Sequence, residues 1–446
     1  MDYLRRLVNS GKFEEIAKLS KEYLNSYPDS PDAQKYASYL VYSLYKLGEY
    51  SECMNIGKFY LNGKINKAQA DILDNLGLVQ WKKGNLILAE KYIVEAMKIY
   101  EEIADEEGLG IAYNDLALIN IANGLLSDAI VNINKSIQIL DKLNIKHQIA
   151  FPYANLGKIY LMQGKLGKSL DYLRNAESIF AELNDSLSLG VVFKSYGRVY
   201  QARGEYKKAE KYLISSYLIR KGMNHPIELA ESLYYLIEVM CKRGLEDPLI
   251  YLRELEQLSL DTGEIRVYHY WQMAKGKITV SQKRVFARFQ AKKNFQQIIS
   301  DENSVVELKT EALIEVIYLL FLELQLSDVP MEIIEEIREN IEQLSQFAEK
   351  EHSLSLKVKM NIIRARLCFL QHRFEKSRVY LKIAEKLANE GEIQRVKTKV
   401  KNELTLLDEN FDYWQTALAL NPNIKNMVEK NEIADYLKKI AQLDFR

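Results

Sequence analysis

The chain has 446 residues, 48% hydrophobic and 27% charged, which excludes an intrinsically disordered chain and provides for a large buried core. Its 61 basic and 61 acidic residues cancel, so there is no global electrostatic drive toward nucleic acid or an anionic membrane. Cys53, Cys241 and Cys368 are far apart and lack C-x-x-C spacing, which argues against a disulfide framework or a zinc site and for a reducing, cytoplasmic setting.

The N-terminal stretch MDYLRRLVNSGKFEE has no apolar segment of a secretory signal. A first helical unit carries Gly11, Phe13 and Pro28, and Gly48 follows in phase. From about 67 to 222 the chain repeats every 40 residues in strict register. One column reads Gly84, Gly124, Gly164, Gly204 and, further on, Gly244. A second reads Leu76-Gly77, Leu116-Ala117, Leu156-Gly157 and Tyr196-Gly197; a third reads Ala89, Ala129, Ser169 and Ala209. Between the third and a fourth column of Ala96, Ser136, Ala176 and Ser216 stand Ile93, Ile133, Leu173 and Leu213. Apolar residues recur at three- and four-residue spacing on both sides of each turn glycine, so each unit reads as two antiparallel helices. The glycine supplies the left-handed conformation that ends the first helix, and the small columns let the two axes approach.

Beyond 222 the beat weakens. The unit 226–262 keeps Gly244 but has Ile237 in its small column, and 265–350 is helical in pattern without the glycine beat. The unit 357–390 recovers Ala365, Ser377, Leu381 and Ala384, with His372 in the glycine's place. Pro226, Pro248 and Pro330 stand where helices should begin, a position that tolerates proline. The apolar run Val316 to Leu322, between Glu315 and Glu323, falls far short of the roughly 20 residues of a bilayer span and reads as a buried helix. The tail, 410–446, carries an Asn-Pro-Asn turn signal at 421–423 and then an amphipathic stretch; it reads as a capping helix, with a segment that folds back into the groove and competes with ligand as the second reading. A period of this size signals a solenoid. The expectation is an all-α solenoid of about nine antiparallel helix pairs, with clear repeats over 1–262, divergent ones over 263–409 and the cap over 410–446.

One local motif competes with this register. MQGKLGKS (162–169) ends like a phosphate-binding P-loop, G-x-x-x-x-G-K-[ST]. Met162 occupies the place of the first glycine and no strand precedes it, while Gly164 and Ser169 fall in the repeat columns. Gly164 therefore reads as a turn, Lys168 as a solvated side chain and Ser169 as a packing residue.

The recurring Leu-Gly pair, the Tyr160 and Tyr200 that follow it, the turn glycine and the Ala/Ser, aliphatic, Ala/Ser sequence resemble the tetratricopeptide repeat family. That family's basic repeat is about 34 residues. The longer period here resembles the branch found in kinesin light chains, mitotic-spindle adaptors and bacterial peptide-sensing regulators. The resemblance implies a right-handed superhelix whose first helices line a concave groove that binds peptides or helices of partner proteins. It places Asn75, Asp115, Asn155 and Ser195 in a backbone-clamping column, with Asp74, Asn114, Ala154, Lys194 and Tyr234 before it. Leu78, Leu118, Lys158, Arg198 and Glu238 follow the Leu-Gly pair. Leu78, Trp81, Leu118 and Ile121 would make one end of the groove apolar, whereas Asn155, Lys158, Lys194 and Arg198 would suit an acidic peptide or carboxylate.

The expected function is that of a non-catalytic scaffold or adaptor with a protein or peptide partner, no small-molecule substrate and no cofactor. The repeat begins near Gly11, without room ahead of it for the effector module of the peptide-sensing regulators, which favours an adaptor over a peptide-responsive sensor. A third reading is nucleic-acid binding through Lys275, Lys277, Lys283, Arg284, Arg288, Lys292 and Lys293, interleaved with Phe286, Phe289 and Phe295. The phenylalanines follow helical spacing and read as core, and the acidic MEIIEEIRENIEQ balances the charge. His147, His225, His269, His352 and His372 are scattered, without a catalytic or metal-binding pattern.

Overall fold

Each 40-residue unit folds as its columns dictate: a helix, a reversal at glycine, and a second helix packed back on the first. The computed structural model describes residues 2–9, 12–222, 225–244, 248–281, 285–324, 330–350, 354–371, 373–390 and 397–409, and every regular element among them is a helix. The array opens with α1 (Asp2–Asn9) and α2 (Phe13–Ser26), then α3 (Ala33–Lys46) and α4 (Tyr50–Tyr60), α5 (Lys67–Lys82) and α6 (Leu86–Glu102). The regular centre follows: α7 (Glu106–Ala122) and α8 (Leu126–Lys142), α9 (Lys146–Met162) and α10 (Leu166–Glu182), α11 (Ser186–Arg203) and α12 (Tyr206–Lys221). The divergent part continues the same alternation with α13 (Pro226–Arg243) and α14 (Pro248–Thr262), α15 (Ile265–Ser281) and α16 (Val285–Ser300), α17 (Val306–Leu324) and α18 (Pro330–Lys350), α19 (Leu354–Leu370) and α20 (Phe374–Glu390). A further helical stretch covers 397–409. Ten helix pairs are thus present among the described residues, and the three prolines at 226, 248 and 330 each begin a helix.

The small columns act by contact. A β-carbon at Gly77, Gly157 or Gly197 would lie 2.6, 2.7 or 2.5 Å from the side chains of Ile93, Leu173 and Leu213, so in these three pairs a larger residue would force the facing side chain to shift. Gly276 makes the same approach to Phe295, at 2.5 Å, inside the region without a glycine beat. The six turn glycines, 48, 84, 124, 164, 204 and 244, have φ between 65 and 85°. The opposite ends of three repeats turn through Ala104, Asn144 and Asn184, also at positive φ, a second 40-residue column.

The odd-numbered helices from α3 to α17 pack on one another in sequence and form the inner wall; the even-numbered ones lie outside. The inner wall closes on itself. Lys82 at the end of α5 pairs with Glu228 in the first turn of α13, four helix pairs on. Arg266 of α15 donates to the Trp81 and Lys82 carbonyls at 3.2 and 3.4 Å, with its guanidinium 5.5 Å from the Trp81 ring. One apolar cluster accordingly joins α2–α5 to α12–α20 and runs unbroken across residue 262 through Leu255, Val267 and Tyr270. Among the described residues no helix is long and apolar enough to cross a membrane; the Val316–Leu322 run lies within α17, largely buried.

Gly84 sits at this closure. A β-carbon there would lie 2.8 Å from the Asn303 carbonyl oxygen in the α16–α17 loop, whereas one at Gly244 would meet nothing within 4 Å. Gly244→Ala should therefore cost about 1 kcal/mol of backbone strain and leave the shape unchanged. Gly84→Ala should cost more and raise the radius of gyration in X-ray scattering. Equal melting shifts and equal radii would refute the contact.

Candidate functional site

The concave wall presents two polar clusters. The first is built by α5, α7 and α9. Asn155 Nδ2 donates to Asn114 Oδ1 at 2.8 Å, Asn114 Nδ2 donates to Asp115 Oδ1 at 3.1 Å, and Asn75 Nδ2 donates to the Asp71 carbonyl at 2.7 Å. Asp74 and Asp115 are only 5% and 7% exposed, and Asp74 Oδ1 has no hydrogen-bond partner. Burial raises both carboxyls, Asp115 to about 6, and the charge of Asp115 raises Asp74 further, so the pair holds a proton between them. Lys46 and Asn114 pull Asp115 the other way without outweighing burial. Around this cluster Leu78 is buried, and Trp81, Leu118 and Asn155 are half-buried.

The second cluster is built by α9, α11, α13 and α17. Lys194 pairs with Glu231, and Arg198 with Glu307. Arg198 Nη2 also lies 3.7 Å from Glu311, Lys158 lies 3.6 Å from Glu307, and the Arg198 guanidinium stands 4.3 Å from the Tyr235 ring. Tyr235 donates to Glu307 at 3.2 Å and Tyr234 to Glu311 at 2.6 Å. Burial pushes Lys194 down to about 8 against the pull of Glu231; burial also pushes Glu307 up, but Arg198 and Lys158 outweigh it and hold its carboxyl far below the usual range. Further along, Lys277 binds Glu238 at 3.0 Å and Glu315 at 2.8 Å.

This geometry corrects two expectations. Lys158, Lys194 and Arg198 are not a free positive patch awaiting an acidic partner, because the inner wall returns within four helix pairs and sets the chain's own carboxylates against them. Cations this buried require such partners. Tyr234, expected on an open groove, is fully buried.

The basic run is also dispersed. Lys277 faces inward, Lys292 pairs with Glu336 at 2.8 Å and Glu323 at 3.7 Å, and Lys275 stands 4.4 Å from the Trp271 ring. Phe295 is core, but Phe286 and Phe289, read as core, are 74% and 64% exposed. The buried stripe of α16 is Ala287, Ala291, Phe295 and Ile298, which turns both phenylalanines outward. In the GKS stretch Ser169 donates to the Gly157 carbonyl at 2.7 Å and Lys168 is exposed, 5.7 Å from the Tyr160 ring. His147, His225 and His269 each face one carboxylate, Asp185, Glu228 and Asp301. Among the described residues no group of three or more His, Cys, Asp or Glu is placed to hold a metal. Gly11, Lys283, Arg284, His352, His372 and 410–446 lie outside the described residues.

The carboxyl pair makes a pH prediction. A carboxyl raised above its unfolded value favours the fold fully below that value, and the advantage is lost as pH rises through the folded value. For Asp115 this window runs from its ordinary 3.8 to about 6. Asp115→Asn does not titrate, so its stability relative to the parent should grow by about 2 kcal/mol between about pH 4 and pH 7. Urea melts at the two pH values check this; a constant difference contradicts it.

Residues 148–221 match the family profile described as tetratricopeptide repeat. No curated protein sequence matches the chain. Among solved structures, a Rap protein complexed with Competence and Sporulation Factor is similar at 14% identity and a TM-score of 0.58, over 78% of this chain and 97% of that one. NprR in complex with its cognate peptide NprX is similar at 15% identity and a TM-score of 0.55, over 77% and 98%. At these identities the likeness is one of fold. The profile covers residues 148–221 alone; beyond them, the turn glycines, the paired-helix array and the two solved structures show a solenoid fold of the tetratricopeptide type.

Proposed function

We propose that the chain is a non-catalytic, cytoplasmic interaction protein whose concave wall binds an extended segment of a protein partner. The observation that carries this reading is the polar ladder Asn155–Asn114–Asp115–Asp74, which ends on a buried carboxyl oxygen without a partner. A buried polar atom in this condition costs about 1–3 kcal/mol. A ligand ammonium, guanidinium or backbone N–H removes that cost, and the side-chain amides of Asn75, Asn114 and Asn155 are suited to hold peptide backbone. The ladder thus favours a segment with a cationic group over the acidic segment that Lys158, Lys194 and Arg198 suggest from sequence alone.

Adaptor function follows directly from such a surface. A second reading, a peptide-responsive regulator, is favoured by the closure between α5 and the α13–α17 region, which is made by side chains and one loop and gives a ligand a shape to bias. One of the two solved structures of similar fold, NprR, holds its cognate peptide, which supports peptides as the ligand class. Nucleic-acid binding is disfavoured, because Lys277 and Lys292 are neutralised by the chain's own carboxylates. The three free cysteines fit a reducing compartment.

A library of short peptides graded in net charge tests the proposal. Bound peptides should be enriched in Lys and Arg, and Asp74→Asn/Asp115→Asn should weaken them about tenfold. Retention unaffected by that variant and by Asn155→Ala would sink the reading.

A further inference from the structure

We propose that Glu307 and Glu311 of α17 act as a built-in ligand of the Lys158–Arg198 cluster, and that an acidic helical segment with two carboxylates one turn apart exchanges with them and opens the array. This rests on the reading of the concave wall as a segment-binding surface. Glu307 and Glu311 are four apart and share one helix face. They reach Arg198 from three helix pairs along the chain, and Glu307 reaches Lys158 from four, so they arrive across the groove as a bound segment would. Two cations, Arg198 and Lys158, lie on the carboxylates, and one tyrosine hydroxyl donates to each. The other charges around the cluster include Lys194, Glu231, Glu238 and Lys277, which pair among themselves and with Glu315, and Lys359 of α19, which feels the charge of Glu311.

An exchanging segment leaves the number of ion pairs unchanged, because Glu307 and Glu311 become hydrated when α17 moves away. The intramolecular pair holds the advantage of high effective concentration, so the parent chain binds an external competitor weakly. Removing the two charges reverses this. Arg198 and Lys158 then lack counter-ions, and an external pair of carboxylates supplies them.

The probe is a fluorescein-labelled alanine-based helical peptide with two glutamates one turn apart, beside a twin with glutamines. Glu307→Gln/Glu311→Gln should bind the glutamate peptide about tenfold tighter than the parent does and should show a larger radius of gyration in X-ray scattering. The glutamine twin should bind neither protein. Adding Arg198→Gln to the double variant should abolish the gain. If the double variant does not fold, Glu311→Gln carries the test with a gain of about threefold. A folded variant indifferent to the glutamate peptide overturns the proposal, as does a gain that persists without Arg198. Normal binding of cationic peptides at Asp74 and Asp115 in that case would show that only the exchange has failed and the segment-binding reading stands.

Discussion

Arg198 reaches across the concave wall to Glu307, and the form of the interior depends on that pairing. A solenoid of helix pairs does not by itself determine whether its inner wall is open to solvent. Here the wall turns back on itself within four pairs, and cations of α9 and α11 meet carboxylates of α13 and α17. Charges buried this far are tolerable only when matched. Lys158, Lys194, Arg198 and Lys277 on one side, and Glu231, Glu238, Glu307, Glu311 and Glu315 on the other, are therefore a single requirement. Loss of Glu307 removes a counter-ion from both Arg198 and Lys158, whose side chains are only 15% and 27% exposed.

The same wall carries a cluster in the opposite condition. Asp74 and Asp115 are more buried than Lys158, Lys194 and Arg198 and have no paired cation within salt-bridge distance among the described residues, and burial raises both carboxyls. A groove with one end neutralised and the other acidic and unsatisfied has a direction. The neutralised end joins α9 and α11 to α17, and Lys82 and Glu228 join α5 to α13.

Much of the architecture was legible because it rests on local steric rules that recur. The left-handed turns at Gly84 to Gly244 and the close approach at Gly77, Gly157 and Gly197 each require a residue type at a fixed interval, and a period exposes them. Gly276 obeys the same rule but escaped notice, because Ile237 interrupts its column. The positive-φ column of Ala104, Asn144 and Asn184 escaped because its residues are not glycine, although the two asparagines 40 apart were a usable signal. Phe286 and Phe289 misled because the small Ala287 and Ala291 complete the buried stripe beside Phe295, and alanine is inconspicuous in a search for apolar periodicity. The pairing of Arg198 with Glu307 had no sequence signal. It depends on the pitch of the whole array, which accumulates from small rotations at every helix pair, and no window of sequence contains both residues.

Closure of the inner wall is the central claim, and the distance between its two edges tests it most directly. Spin labels at positions 83 and 302, on a chain with its three cysteines replaced, would be read by double electron–electron resonance in the absence of any partner. A narrow distribution at short distance is the result that a closed wall predicts. A broad distribution at long distance would mean that α5 and the α16–α17 loop are apart in solution, and the ion pairs across the groove would then not be the constraint on which the interior rests.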